Sequence, residues 1–279
     1  MSPGRADAAV RPAGPVRWLT AVLLTPEETA AAAERFWAAV TATVTRTPSA
    51  RGTTLVPATG DPWLRLERTG GAVAAVRLDL HVDDPDATAD DAIGRGAEPV
   101  ADPGGGRVLR SPGGFAFRLV EWGGTGHSGT GHSGTGHSGI GSSHSGIGSS
   151  GEVERPAAGP GGRPTTADQI CLDLLPDTAD AEIAFWVGLT GWAPRGIDRP
   201  EFTFLERPSG LPLRILLQRL DGATAATAAG AHLDVGCNDP EATLARHVDL
   251  GALVVARHPW WTVLRDPAGR PYCLVRRGI

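Results

Sequence analysis

Apolar and polar residues alternate strictly in RLDLHV, residues 77–82. A period of two predicts a strand with one buried and one polar face. The apolar face carries Leu78, Leu80 and Val82, and the polar face carries Arg77, Asp79 and His81. Asp84-Pro85 follows directly, and an aspartate before proline is typical of a helix N-cap and first helical residue. The segment therefore predicts a strand followed by a helix.

The same pattern recurs further along the chain as HLDVGCNDPEAT, residues 232–243. Residues 77–120 align with residues 232–275 without a gap at an offset of 155. A second offset, of 149, pairs FWAAVT (36–41) with FWVGLT (185–190). Two offsets indicate a duplicated domain of two parts, with a small change of length between the parts.

Each part also carries signals for where its helices begin and end. Thr25-Pro26 predicts the start of an earlier helix, with Thr25 as the N-cap and Glu28 completing a capping box. Gly96 and Gly251 are placed to end helices in the left-handed conformation that glycine adopts most easily. The turn sequences SPGG and DPAG, opened by Ser111 and Asp266, suit type I hairpin turns. Each part thus reads as strand, helix and two or three hairpin-linked strands.

The composition of the chain indicates where the two copies begin and end. We expect a disordered tail (1–15), a first domain (16–122), a flexible Gly/Ser/His-rich linker (123–164) and a second domain (165–279), because the linker has little to bury. Its histidines are His127, His132, His137 and His144, which we interpret as an unconstrained repeat, with a loose metal-binding tract as the alternative.

Net charge and cysteine content limit the kinds of binding partner and the cellular compartment that we expect for this protein. Apolar residues make up 41% of the 279-residue chain, and the net charge of −5 favours neither nucleic acid nor an anionic membrane as a partner. The cysteines are Cys171, Cys237 and Cys273, an odd number without a CxxC pair, so a disulfide framework is not expected. No signal peptide or apolar run of membrane-spanning length is present, and we expect a cytoplasmic protein.

The ordered set of these motifs resembles the vicinal oxygen chelate superfamily of glyoxalases, extradiol dioxygenases and bleomycin-resistance proteins. The likeness is strongest in residues 232–275, where HLDV, DP, GA and DPAG follow one another as in glyoxalase-like domains of actinobacterial type. It covers about residues 16–122 and 166–277. The resemblance implies an α+β fold of tandem domains, each made of two βαβββ modules whose curved mixed sheet forms a cup.

The resemblance also implies where a metal would bind, namely at a histidine or glutamine in a module's first strand and a glutamate in its last strand. In the first copy these positions hold Arg77 and Arg118, and an arginine cannot ligate a metal. In the second copy His232 fits, but Cys273 stands at the glutamate position. We therefore expect no metal cofactor. The alternative is a soft zinc or iron site of His232, Cys171 and Cys273, and we interpret both cysteines as apolar fillers.

Several other polar and aromatic residues are candidates for binding a ligand in the cups. Arg77, Asp79, His81 and Arg118 should face the first cup, where they either orient an anionic or amide-bearing ligand or simply pair with one another. In the second cup, His232 and Asp234 are a candidate base and its orienter, although a structural histidine is favoured. The sequence does not decide whether Arg65 and Arg214 face the cups or the outer side of the sheets, or whether Trp260 and Trp261 form a ligand wall or part of the core. We expect His247 and His258 at the surface.

Three functions follow from this reading. The favoured hypothesis is metal-free binding or sequestration of a small organic molecule in the cups, comparable to the bleomycin-resistance relatives. The second is a metal-dependent lyase, isomerase or dioxygenase with an atypical site around His232. The third is a scaffold or dimerisation module with filled cups. Independently of the function, the two domains are candidates to pair with each other within the chain. Fold alone does not choose among them.

Overall fold

The computed structural model describes residues 16–49, 52–102, 106–123, 165–222 and 226–277. These residues form four helices and two eight-stranded sheets, which confirms the predicted α+β class and the four βαβββ modules. The predicted N-terminal tail and, except for residue 123, the predicted linker lie outside the described residues.

The first sheet contains the first two modules. Its elements are β1 (Val16–Pro26), α1 (Glu27–Thr41), β2 (Val44–Ser49), β3 (Gly52–Val56), β4 (Leu64–Thr69), β5 (Ala75–Val82), α2 (Pro85–Gly94), β6 (Glu98–Val100), β7 (Arg107–Arg110) and β8 (Ala116–Glu121). The strand order is β2-β3-β4-β1-β5-β8-β7-β6. The central strands β1 and β5 are antiparallel, and each has a parallel partner, β4 and β8 respectively.

The second sheet repeats this topology with the last two modules. Its elements are β9 (Thr165–Leu174), α3 (Ala179–Thr190), β10 (Ala193–Gly196), β11 (Phe202–Glu206), β12 (Arg214–Arg219), β13 (Gly230–Cys237), α4 (Pro240–Asp249), β14 (Leu253–Arg257), β15 (Trp261–Arg265) and β16 (Pro271–Arg276). The order is β10-β11-β12-β9-β13-β16-β15-β14, so β9 and β13 take the central places. The duplication predicted from two sequence offsets is therefore present in the topology.

Local signals explain most element boundaries. The Asp84 side chain accepts hydrogen bonds from the backbone N–H groups of Asp86 and Ala87, each at 3.0 Å, and the Asp239 side chain accepts one from Ala242 at 3.2 Å. Both predicted N-caps are thus confirmed. The predicted capping box at the start of α1 is wrong, because Thr25 is the buried end of β1 and its hydroxyl donates to the Leu23 carbonyl at 2.9 Å.

The two turns that were predicted from SPGG and DPAG are present and hold the domains together. In each, the fourth residue donates its N–H to the carbonyl of the first, Gly114 to Ser111 and Gly269 to Asp266, both at 2.8 Å. Trp37 of α1 reaches across and donates its indole N–H to the Asp266 carboxylate at 2.8 Å. Helix α3 contacts the first domain's turn in the same way, with the Glu182 carboxylate accepting from Ser111 and from Gly113. The two domains therefore pair within the chain.

His247 is part of this domain interface rather than of the surface, so its predicted exposure is wrong. Its side chain is fully buried, Nδ1 lies 2.9 Å from the Tyr272 hydroxyl, and the ring meets Phe36 of the other domain edge-on. Burial lowers the pKa of His247 to about 4, and Arg246 adds to this effect. Sequence offers no partner pattern for such a residue, because its contacts come from a distant helix. His258 is exposed, as predicted.

Candidate functional site

The two cups are the faces of the sheets that carry the repeated aspartates. We call the face with Arg77 and Asp79 the first cup and the face with His232 and Asp234 the second cup. Directly paired residues of neighbouring strands point to the same face of a sheet. Asp234 lies opposite Gln169 of β9 and opposite Cys273 of β16, so all three side chains belong to the second cup.

A β-bulge in β9 places an extra polar residue beside the second cup. Asp234 pairs with Gln169 and Val235 pairs with Ala167, which leaves Asp168 unpaired in the ladder. As a result, the side chains of Asp168 and Gln169 both reach Arg277, at 2.7 Å in each case. The alternation in the sequence does not reveal this bulge, and Asp168, Gln169 and Arg277 were not predicted as site residues.

A cavity of about 470 Å³ opens within the second cup. Its apolar wall includes the aromatic rings of Phe202, Phe204, Trp260 and Trp261. The Arg199 guanidinium lies over the rings of Trp260 and Trp261, 5.1 and 5.5 Å from their centroids. The two tryptophans therefore line a ligand-sized space, which was one of the two alternatives left open by the sequence. A second cavity lies elsewhere, beside α2 and β7.

His232 occupies the middle of the second cup. Its Nδ1 lies 3.0 Å from a carboxylate oxygen of Asp173, and its Nε2 lies 3.5 Å from one of Asp234. Two further side-chain contacts lie in this cup: Gln169 donates to Asp234 at 2.5 Å, and Cys171 donates to Gln218 at 3.5 Å.

Burial and close neighbours shift the protonation of these groups. Burial of the His232 ring opposes its charged form, yet the charge of the Asp173 carboxylate and its hydrogen bond to the ring outweigh burial and raise the pKa of His232 well above the usual range. Burial raises the pKa of the Cys171 thiol to about 12, so this thiol is neutral at neutral pH and the carboxylate is the effective partner of the imidazolium. Burial also raises the pKa of Asp234, against the opposing influence of His232.

The same residues form two candidate sets of metal ligands. Cys171, Asp173 and His232 form one set, and His232, Asp234 and Cys273 form the other. Within each set the donor atoms lie within 4.8 Å of one another. Thiol, imidazole and carboxylate together suit a borderline-soft ion such as Zn²⁺. In the second set the contact of Asp173 with Nδ1 would orient the ring so that Nε2 faces the ion.

The polar side chains of the first cup form ion pairs with one another. Arg77 pairs with Asp79 at 3.0 Å and with Glu67 at 2.9 Å, and Arg118 also pairs with Asp79. Arg77 and Asp79 are buried. Of the two alternatives for this cluster, the coordinates match mutual pairing, in which the charges neutralise one another.

The other residues that were predicted to lie in the cups are near these clusters. The His81 ring contacts the Thr20 hydroxyl at 3.0 Å and meets Trp122 edge-on, at the border of the first cup. Arg65 lies opposite Val22, which lies opposite Arg77, so Arg65 faces the first cup. Arg214 lines the cavity of the second cup.

Two βαβββ modules that share one mixed sheet and enclose one cup define the vicinal oxygen chelate fold. The model of the glyoxalase-like domain matches residues 21–120 and 169–275, and the chain belongs to this family. No curated protein matches the sequence. None of the helices in the described ranges is long and apolar enough to cross a membrane.

Solved structures share the fold at low sequence identity. The 2,3-dioxygenase LapB from Pseudomonas sp. KL28 is 13% identical with a TM-score of 0.59, over 96% of this chain and 94% of that one. The Mn(II)-bound glyoxalase from Novosphingobium aromaticivorans is 15% identical with a TM-score of 0.56, over 94% and 83%. A third similar structure is a xylose isomerase-like TIM barrel/4-hydroxyphenylpyruvate dioxygenase fusion protein, which is 14% identical with a TM-score of 0.56. The match includes 96% of this chain but only 50% of the fusion protein.

Proposed function

We propose that the second cup binds a small organic molecule without a metal ion. The observation that carries this proposal is the 470 Å³ cavity, which falls within the range of about 300–1,000 Å³ that is typical of ligand pockets. Aromatic walls and a few fixed polar groups are the usual composition of such pockets. The role would be sequestration of the ligand, comparable to that of the bleomycin-resistance proteins in the superfamily that the sequence resembles.

The polar groups of the second cup support binding rather than metal chemistry because they bond to each other. His232 is held between Asp173 and Asp234, and the Cys171 thiol is directed to Gln218. At the position where the resemblance implies a glutamate, the sequence has Cys273. A fixed row of donors and acceptors would orient a ligand at little entropic cost.

The first cup would take no ligand, so we expect one molecule per chain. The Arg77 guanidinium and the Asp79 carboxylate pair with each other, and neither of the two cavities described above is lined by Arg77 or Asp79. Three free, buried cysteines are compatible with a cytoplasmic site of action, which we include in the proposal.

A second candidate is a metal-dependent lyase, isomerase or dioxygenase. It is favoured by the convergence of His232, Asp234 and Cys273, which would hold the ion on the wall of the cavity. Such an ion, when bound, would polarise an oxygen of the substrate. His232 would supply an imidazole nitrogen, and Asp173 would keep the ring in place.

Metal analysis combined with ligand binding separates these candidates. The protein is purified without an affinity tag and with the four linker histidines replaced by serine, so that only the domains can retain metal. We expect well below one equivalent of Zn, Fe, Mn or Ni per chain, and binding of naphthalene-2-carboxamide that a chelator does not change. Stoichiometric metal that is lost in His232→Ala, together with binding that a chelator abolishes, would establish the second candidate instead.

A further inference from the structure

Two arginines at one end of the second cup share a single carboxylate. Arg214 of β12 donates to one oxygen of Asp168 at 2.8 Å, and Arg277, directly after β16, donates to the other at 2.7 Å. Both arginines line the 470 Å³ cavity, whereas Asp168 does not. Arg277 also donates to the Gln169 side chain, and the Arg214 guanidinium lies 6.0 Å from the ring centroid of Phe204.

The cluster has more positive charge and more donors than it uses. Two guanidinium groups face one carboxylate, and the buried Nε of each arginine has no hydrogen-bond partner among the described residues. The next carboxylate in the cup, Asp234, is bonded to Gln169 and lies beside His232. A third arginine, Arg207, lies close enough that burial and the charge of Arg214 both lower its pKa.

We propose that this end of the second cup is an anion subsite that receives the carboxylate of an aromatic acid, with the ring of that acid against the aromatic wall of the same cavity. The inference rests on the proposed function and names its ligand class. The guanidinium fork matches the planar geometry of a carboxylate and can bind it with two parallel hydrogen bonds. The two guanidinium groups of Arg214 and Arg277 and the single carboxylate of Asp168 leave one uncompensated positive charge, which suits a singly charged carboxylate.

The first cup has no counterpart of this subsite. At the two offsets of the repeat, Asp168 corresponds to Leu19 and Arg277 corresponds to Trp122. In the first cup, Arg77 and Arg118 pair with the carboxylates of Glu67 and Asp79. Arg65 also faces this cup, but it lines neither of the two cavities described above. A surplus cation that lines a cavity is therefore a property of the second copy.

Two probes of equal shape test the charge requirement: naphthalene-2-carboxylate and its neutral isostere naphthalene-2-carboxamide. Isothermal titration calorimetry on the full chain should show the acid binding about tenfold more tightly than the amide, because a charge-assisted hydrogen bond contributes more than a neutral one. In Arg277→Gln, and more completely in Arg214→Gln/Arg277→Gln, the ratio of the affinities for the acid and the amide should fall towards one.

Arg65→Gln in the first cup is the matched control, and it should leave the preference for the acid intact. Circular dichroism and thermal unfolding confirm that each variant is folded before its binding is interpreted. If the amide binds but the acid binds no more tightly, or if the preference survives the double substitution, the anion subsite is disproved and the proposed binding function stands. If neither probe binds the parent protein, both the subsite and the proposed function are disproved.

Discussion

The two cups are built on equivalent strands of the two sheets, and both keep an aspartate at the same position. Asp79 and Asp234 hold equivalent places at the centre of their sheets, opposite Thr20 and Gln169 respectively. In the first cup the neighbour in the last strand is Arg118, and in the second it is Cys273. Two residues before each aspartate, Arg77 in one copy stands where His232 stands in the other.

These exchanges account for the different contacts in the two cups. Long guanidinium side chains reach the shared aspartate and fill the first cup with ion pairs. The shorter imidazole and thiol side chains leave a cavity in the second cup, and they leave its aspartate to bond with a neutral amide. The comparison teaches that a duplicated fold can keep its backbone and its acid while a few side-chain lengths decide whether the cup has room for a ligand.

The largest expected difference between the cups concerns the stability that each aspartate provides. Asp79→Ala removes a carboxylate shared by Arg77 and Arg118, and breaking a buried ion pair in this way should lower the free energy of unfolding by about 3–5 kcal/mol. Asp234→Ala removes a hydrogen bond from the Gln169 amide and the 3.5 Å contact with His232. Because Asp173 still pairs with that ring, the loss should be about 1–2 kcal/mol. Urea denaturation measures both values. Equal losses would show that the first cup is not held by its charges.

A second difference between the copies is the buried histidine of α4, which corresponds to Ala92 in the first domain. The pKa of His247 is lowered to about 4, so the unfolded state binds a proton first as the pH falls. The neutral His247 ring makes its full contribution to the free energy of unfolding above about pH 6.5. Between about pH 6.5 and 4 the free energy of unfolding falls by up to about 3 kcal/mol.

Denaturation curves of the parent protein and His247→Gln over this pH range test the expectation. The parent protein should lose more stability on acidification than the variant does, because glutamine does not titrate. Parallel pH profiles for the two proteins would contradict the assignment of a neutral, buried ring to His247.

The smallest expected effect concerns the walls of the two cups. Trp261→Ala removes one aromatic face of the open cavity, and it should weaken binding of naphthalene-2-carboxamide about tenfold. Trp122→Ala is the counterpart at the border of the first cup, and it should leave that affinity unchanged. Calorimetric titration of both variants gives the comparison. Weaker binding in Trp122→Ala would place the ligand in the wrong cup.

Much of the fold could be predicted from the sequence because its signals are local and repeated. Alternation in residues 77–82 predicts β5, Asp84 and Asp239 predict helix starts, and the two offsets predict the duplication. The capping box at Thr25 was wrong since the hydroxyl of that residue is engaged by tertiary contacts, accepting from Arg270 in addition to its own bond to the backbone.

The site was less predictable because it depends on contacts between distant segments. His232, Asp234 and Arg214 could be selected from the sequence, yet their partners could not. Asp168 reaches the arginines only because of a one-residue bulge in β9, and Asp173 meets His232 through the register of two antiparallel strands. The neighbours of a side chain in a sheet are set by the register, which a single sequence does not display.

A crystal structure of the chain soaked with naphthalene-2-carboxamide tests most directly whether one cup is open and the other is closed. We expect density for one molecule in the second cup, against Trp261 and above His232, no metal ion beside His232, and an undisturbed cluster of Arg77, Asp79 and Arg118 in the first cup. A molecule bound in the first cup, or an ion held by His232, Asp234 and Cys273, would contradict the account.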